Sequence, residues 1–295
     1  MEKIGGQAVI EGVMMKSRKG WTVAVRGPKG DIHVKRETLK SIPKILMLPV
    51  LRGVVALYQA LSLGIKAIEF SAIKAFEEED KKSPGPLSLG FTIVFSFILG
   101  IALFILLPLY VTKLLGIIFS SVSKSSLVFN LVDGIIRIIF FLLYLIAIGM
   151  WKEMRRIFEY HGAEHKVIHA YEDRKNLILK EIKDYSTCHP RCGTSFLLIV
   201  MVVSILTFSL IPKDWSYTNK FLSRLILIPA IAGFSFEFLK FSSRMKNNPL
   251  MNIIIQPGLM LQRLTTREPD DDQIEVAIMA LEEVLKIEET DARKT

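Results

Sequence analysis

The chain has 295 residues, and the 51% that are hydrophobic are gathered in long uncharged blocks. Its formal charge of +9 would suit a nucleic-acid partner. Lys and Arg also accumulate on the cytoplasmic side of membrane spans, so no nucleic-acid partner is expected and an ordinary soluble domain is excluded.

The opening, Met1-Glu2-Lys3-Ile4-Gly5-Gly6, lacks the apolar stretch that follows the basic start of a signal peptide. Residues 1–41 read as a small β-rich cytoplasmic region. Trp21, Val23 and Val25 alternate with Thr22, Ala24 and Arg26, and Gly27-Pro28-Lys29-Gly30 supplies a turn before Ile32 and Val34. This predicts a β-hairpin, to which residues 7–15 could add a third strand.

Residues 42–82 predict helices. The uncharged core, 53–65, has 13 residues, short of the roughly 20 that cross a bilayer. Lys44, Arg52, Lys66 and Lys74 flank or punctuate it. A pair of interfacial or re-entrant helices is expected there. The charged run 77–82 and Ser83-Pro84-Gly85-Pro86 close the region.

No charged side chain occurs in 83–112 or in 193–212. Spans are predicted at 87–112, 127–151, 194–212 and 221–241. The fold class is therefore mainly α: a polytopic helical membrane protein of about four transmembrane helices. The first transmembrane hairpin occupies 83–151 and the second 194–241. The loop 113–126 carries Lys113 and Lys124, whereas 152–193 carries nine Lys and Arg residues. Positive-inside counting places the middle loop and both termini in the cytoplasm of a multi-pass protein of the inner membrane. Membrane lipids, and other membrane proteins, are the expected partners. In 242–295, residues 250–264 predict a helix bent at Gln256-Pro257-Gly258 on the membrane surface. Ile274, Ala277, Ile278, Leu281 and Leu285 predict a last amphipathic helix packed on the cytoplasmic part.

The middle loop holds four of the five histidines and both cysteines. In the reducing cytoplasm, Cys188 and Cys192 suit ligands better than a disulfide. His161 and His165 stand four apart and share a helix face. His-x-x-Glu-His also matches the inverted zincin pattern, with Glu164 as base. His169 extends the stripe, and Glu172 returns to the same face. Glu172 nevertheless lies about 10 Å beyond His165 at 1.5 Å per residue, so a straight helix keeps it off a metal held by His161 and His165.

Three readings stay open. His161, His165, Cys188 and Cys192 could close a tetrahedral Zn site. Two histidines and one ligand from Cys188, His189 or Cys192 could leave a position for water beside Glu164. The bland alternative is surface histidines and two plain thiols.

Other features carry paired readings. Asp133 and Arg137, at i and i+4 in the second span, are either functional intramembrane charges or a helix lock. Glu237, near the cytoplasmic end of the fourth span, could face the histidine loop. Gly5-Gly6-Gln7 and Glu11-Gly12 are turns or a phosphate cradle. Arg52, Arg155, Arg156 and Arg191 satisfy the positive-inside bias or hold anionic headgroups.

Three motifs resemble the YqhQ family of bacterial membrane proteins: residues 5–15, Gly162-Ala163-Glu164-His165-Lys166, and residues 189–196. Thr265-Thr266-Arg267-Glu268-Pro269-Asp270-Asp271 is similar to that family's closing motif. The resemblance covers nearly the whole chain. It implies a bacterial membrane protein of a family with no established function, labelled a predicted metal-dependent enzyme. That label fits His161, His165, Cys188, His189 and Cys192. If the chain is an enzyme, metal-assisted hydrolysis of a membrane substrate is the expected class. A zinc-stapled scaffold or assembly factor, and a transporter or lipid-handling protein using Asp133, Arg137 and Glu237, are the alternatives.

Overall fold

A computed structural model describes residues 3–76, 86–212, 214–242 and 248–292. The charged run 77–82 and Ser83-Pro84-Gly85 lie outside these residues, as does Lys213. The N-terminal region is a four-stranded antiparallel meander: β1 (Gly5–Val9), β2 (Gly12–Lys16), β3 (Gly20–Arg26) and β4 (Ile32–Thr38), in the order β1-β2-β3-β4. Residues 7–15 were expected as one strand. They fold back on themselves, because Glu11 takes a positive φ of 49° and turns the chain.

The alternation in β3 does not separate core from water. Trp21, Val23 and Val25 are buried, but so are Thr22 and Ala24. One face of the sheet receives Leu63 and Ala67 of α1 (Leu51–Ala75). The other packs on α6 (Lys152–Glu172) and α11 (Asp271–Ala292) through Val13, Met15, Ala24, Ala163, Val167, Ala277 and Leu281. A three-layer arrangement follows, with the sheet in the middle. Thr22 is accommodated because its Oγ1 donates to the Ala280 carbonyl at 2.6 Å. The start of α11 is fixed by a capping box. Asp270 accepts the Gln273 N–H at 2.8 Å, and Gln273 accepts the Asp270 N–H at 3.0 Å.

The apolar helices form a second body of the fold. α2 (Pro86–Ile101) passes through a π-turn at Ala102–Leu106 into α3 (Leu107–Ile118). Pro108, which lacks an N–H, explains the local change of helical pitch. A short helix, α4 (Ser120–Lys124), precedes α5 (Ser126–Gly149). After α6 and the short α7 (Leu179–Ile182) come α8 (Gly193–Ser209), α9 (Tyr217–Ser242) and α10 (Pro249–Thr265). α8 packs against α5, α9 and α10.

Four helices are long and apolar enough to cross a membrane: Leu51–Ala75, Gly90–Ile118, Ser126–Gly149 and Thr218–Ser242. This set differs from the predicted one in two places. The region 42–76 holds a single turn of 3-10 helix at Lys44–Met47 and one 25-residue helix that is long enough to span. The third predicted span is a helix of 17 residues, at the lower edge of spanning length. The helix expected over 250–264 is α10, with Pro257 inside it.

Asp133 and Arg137 do pair, at 2.9 Å, and Arg224 of α9 adds a second guanidinium at 3.0 Å from the same oxygen. Phe208 of α8 lies beneath both arginines. The three charges therefore tie α5 to α9 across α8. Glu237 does not face the histidines; it pairs with Arg52 at the start of α1.

Candidate metal centre

α6 places His161 and His165 one turn apart, with ring centroids 4.4 Å from each other. The third donor arrives 27 residues later. Cys192 caps α8, its sulfur accepting the Thr194 N–H at 3.4 Å. It lies 3.3 Å from His161 Nε2, with His165 close by. The three donor atoms all fall within 4.8 Å of one another. A tetrahedral Zn with bonds of 2.0–2.3 Å sets such atoms roughly 3.3–3.6 Å apart. The His161–Cys192 pair already has that spacing, and the remaining pairs need only to draw in slightly.

The outer contacts fit metal ligation. His161 Nδ1 lies 2.8 Å from the Thr265 carbonyl, and His165 Nδ1 lies 2.5 Å from the Thr187 carbonyl. A carbonyl only accepts, so each Nδ1 carries the proton. Each Nε2 is left with its lone pair toward the other donors. Burial lowers the His165 pKa, which favours the neutral imidazole that a metal requires.

Glu164 sits beside these donors, its Oε2 3.9 Å from His161 Nε2 and 3.8 Å from His165 Nε2. It is buried, and burial pushes its carboxyl above the usual carboxylate range. His161, His189 and the donating N–H of Gly6 oppose that shift. The strand passes so close that a Cβ at Gly6 would meet Glu164 Oε1 at 2.8 Å. The Gly5-Gly6 pair therefore admits the carboxylate, which is a different use from a phosphate cradle. A cavity of about 450 Å³ opens on this group, lined by β1, α6 and the start of α8.

The other sequence candidates take different places. The Cys188 sulfur faces the Leu259 carbonyl at 3.9 Å and is not among the clustered donors. His189 lies to the side, 5.8 Å ring to ring from His165 and 4.5 Å from His169. Its Nε2 is 3.6 Å from Glu172, which also pairs with Arg191. Glu172 thus stays off the clustered donors, as the rise along α6 requires. Of the other boundary arginines, Arg156 pairs with Glu11, and Tyr160 Oη donates to Glu11 at 3.2 Å.

Sequence reasoning missed the parts that hold the site in place. Gln262 of α10 accepts the His189 N–H at 2.7 Å and donates to the His189 carbonyl at 2.9 Å and to Ser195 Oγ at 2.8 Å. The segment after α10 lies directly on α6. The Arg267 N–H donates to the Phe158 carbonyl, and a Cβ at Gly162 would lie 2.0 Å from the Arg267 carbonyl oxygen. Lys166, itself buried, pairs with Glu268. The 265–271 motif is thus a strap over the histidine helix. A buried glutamine on an apolar helix was the available signal for Gln262.

Comparison with known proteins agrees with the motif resemblance. The family described as "Protein of unknown function (DUF1385)" matches residues 48–287. The chain is 34% identical over 299 residues to "Uncharacterized protein YqhQ" of Bacillus subtilis (strain 168), covering 96% of this chain and 92% of that protein. No solved structure matches.

Proposed function

The chain belongs to the DUF1385 family of proteins of unknown function, and from that premise we propose that it is a multi-pass inner-membrane protein with a cytoplasm-facing divalent-metal centre. His161, His165 and Cys192 are its ligands, and Zn is the ion best suited to two imidazoles and a thiolate. The observation that carries this reading is the convergence of the three donors with both Nδ1 atoms committed to carbonyls.

The placement of α1 supports a membrane topology. Its first turn lies on α9, with Gly53 against Gly233 and Phe236. Its later part, at Leu63 and Ala67, lies on the sheet domain. One helix cannot be lipid-embedded along its length and also cover a water-facing domain. We therefore read α1 as dipping to the membrane at its start, with α2–α3, α5, α8 and α9 crossing. Both termini then lie in the cytoplasm, in accord with the basic middle segment.

Three protein ligands leave a fourth position toward the cavity. A divalent ion held by His161, His165 and Cys192 would supply a water of lowered pKa or polarise a carbonyl. Glu164 is the carboxylate placed to take the proton, so metal-assisted hydrolysis of a membrane substrate is the favoured activity. The alternative, a zinc-stapled scaffold, draws on the way the donors join α6 to the start of α8. The transport reading has less support, because Asp133, Arg137, Arg224 and Glu237 are engaged in ion pairs.

Metal analysis of the purified chain tests the centre. About one equivalent of Zn, Mn or Fe is expected, and none would overturn it. Glu164→Gln then separates the two readings. An enzyme keeps its metal and fails to complement a deletion strain, whereas a staple keeps both metal and complementation.

A further inference from the structure

A second cavity is lined by a different part of the sheet domain; its Lys16 stands opposite Gly5 in the β1–β2 register, and Gly5 lines the cavity beside the histidines. The second cavity is the larger, about 870 Å³, and is enclosed by the β2–β3 turn, the end of β4, the linker to α1 and part of α11. Lys16, Arg18, Lys40 and Lys44 line it, and among the described residues no carboxylate does. Three more lining cations already have acidic neighbours on α11. Lys19 lies 3.9 Å from Glu288, while Arg36 and Lys286 lie 2.5 and 2.7 Å from Glu283.

Lys16 is the most informative of the set. Its ammonium donates to the neutral amide of Gln59 on α1, at 2.7 Å, and burial lowers its pKa. A cation withdrawn from water beside a neutral partner is costly, and an anion in the cavity would offset that cost. Gln59 lies between the α1 residues that meet α9 and those that meet the sheet. The linker next to it exposes Ile45, Met47 and Leu48, at 68%, 50% and 51%. A basic wall and an apolar rim thus occur together, at the level where the helical body meets the sheet domain.

We propose that this cavity binds the phosphate headgroup of an anionic membrane lipid. Lys16, Arg18, Lys40 and Lys44 hold the phosphate, and residues 45–48 enter the acyl layer beside it. The site rests on the membrane reading above and is independent of the metal centre.

Calorimetry of the full chain in neutral detergent tests this with three probes: dihexanoyl phosphatidylglycerol, dihexanoyl phosphatidylcholine and inorganic pyrophosphate. Saturable binding of the glycerol lipid is expected, with the choline lipid and pyrophosphate each at least about tenfold weaker. Lys16→Gln should weaken the glycerol lipid about tenfold. So should the double variant Lys40→Gln/Lys44→Gln, whose exposed side chains leave folding intact. Ile45→Ser/Leu48→Ser should weaken the lipid and leave pyrophosphate unchanged. Equal binding of both lipids, pyrophosphate as tight as the lipid, or undiminished binding by the double variant would each overturn the proposal. Metal content measured on the same samples keeps a failure here distinct from a failure of the metal centre.

Discussion

Gln262 closes both backbone hydrogen bonds of His189 with a single side-chain amide, accepting at 2.7 Å and donating at 2.9 Å. The turn that carries Cys192 is thereby set in place by a helix more than 60 residues further along the chain. Gln262→Leu removes these bonds and the one to Ser195, leaving the buried His189 N–H unmatched while its carbonyl keeps the Cys192 N–H. Metal affinity is expected to fall about 10- to 100-fold, as for other groups that orient ligands. Competition with a zinc chelator measures it.

The two cysteines should separate cleanly. Cys192→Ser removes a donor and is expected to abolish stoichiometric metal. Cys188→Ser changes a thiol that faces Leu259 and should leave metal content unchanged. Elemental analysis of the two purified variants decides this. Equal loss in both would show that Cys188 is a ligand.

The ion cluster in the helical body offers a stability test. Asp133→Asn leaves Arg137 and Arg224 buried without their carboxylate. The expected loss is about 3–5 kcal/mol, the usual consequence of breaking one side of a buried pair. A large drop in thermal unfolding temperature in detergent would register it, while metal binding in the folded fraction persists.

Two glycines give a contrast in packing. Gly162→Ala would drive a methyl to 2.0 Å from the Arg267 carbonyl oxygen, whereas a methyl at Gly5 meets nothing within 4 Å. The first is expected to cost about 1–3 kcal/mol or more, the second within about 0.5 kcal/mol. Denaturation of the two variants compares them directly.

The sequence exposed the histidine pair because i and i+4 spacing on a helix is geometry written in residue number. Cys192 was visible only as one of three candidates. A turn between helices has no fixed period, so nothing in its spacing tells which of Cys188, His189 and Cys192 points inward. The carbonyls of Thr187 and Thr265 had no signature at all, since every residue carries one. The region of α1 predicts a pair of helices because its uncharged core, 53–65, is too short to span. In the structure one helix runs throughout, and its neighbours change from α9 at Gly53 to the sheet at Leu63 and Ala67. The helix expected over 250–264 is α10, which continues through Pro257, with Gly258 packed on Ser195.

The Thr265 carbonyl on His161 also has a meaning in the order of synthesis. All three donor residues have been made once α8 begins. The strap that orients the first of them is made only after α9 and α10. A nascent chain therefore holds its ligands in an unfinished setting until the last apolar helix has been placed. Metal uptake at the proposed centre is thus expected only once the helical body is complete.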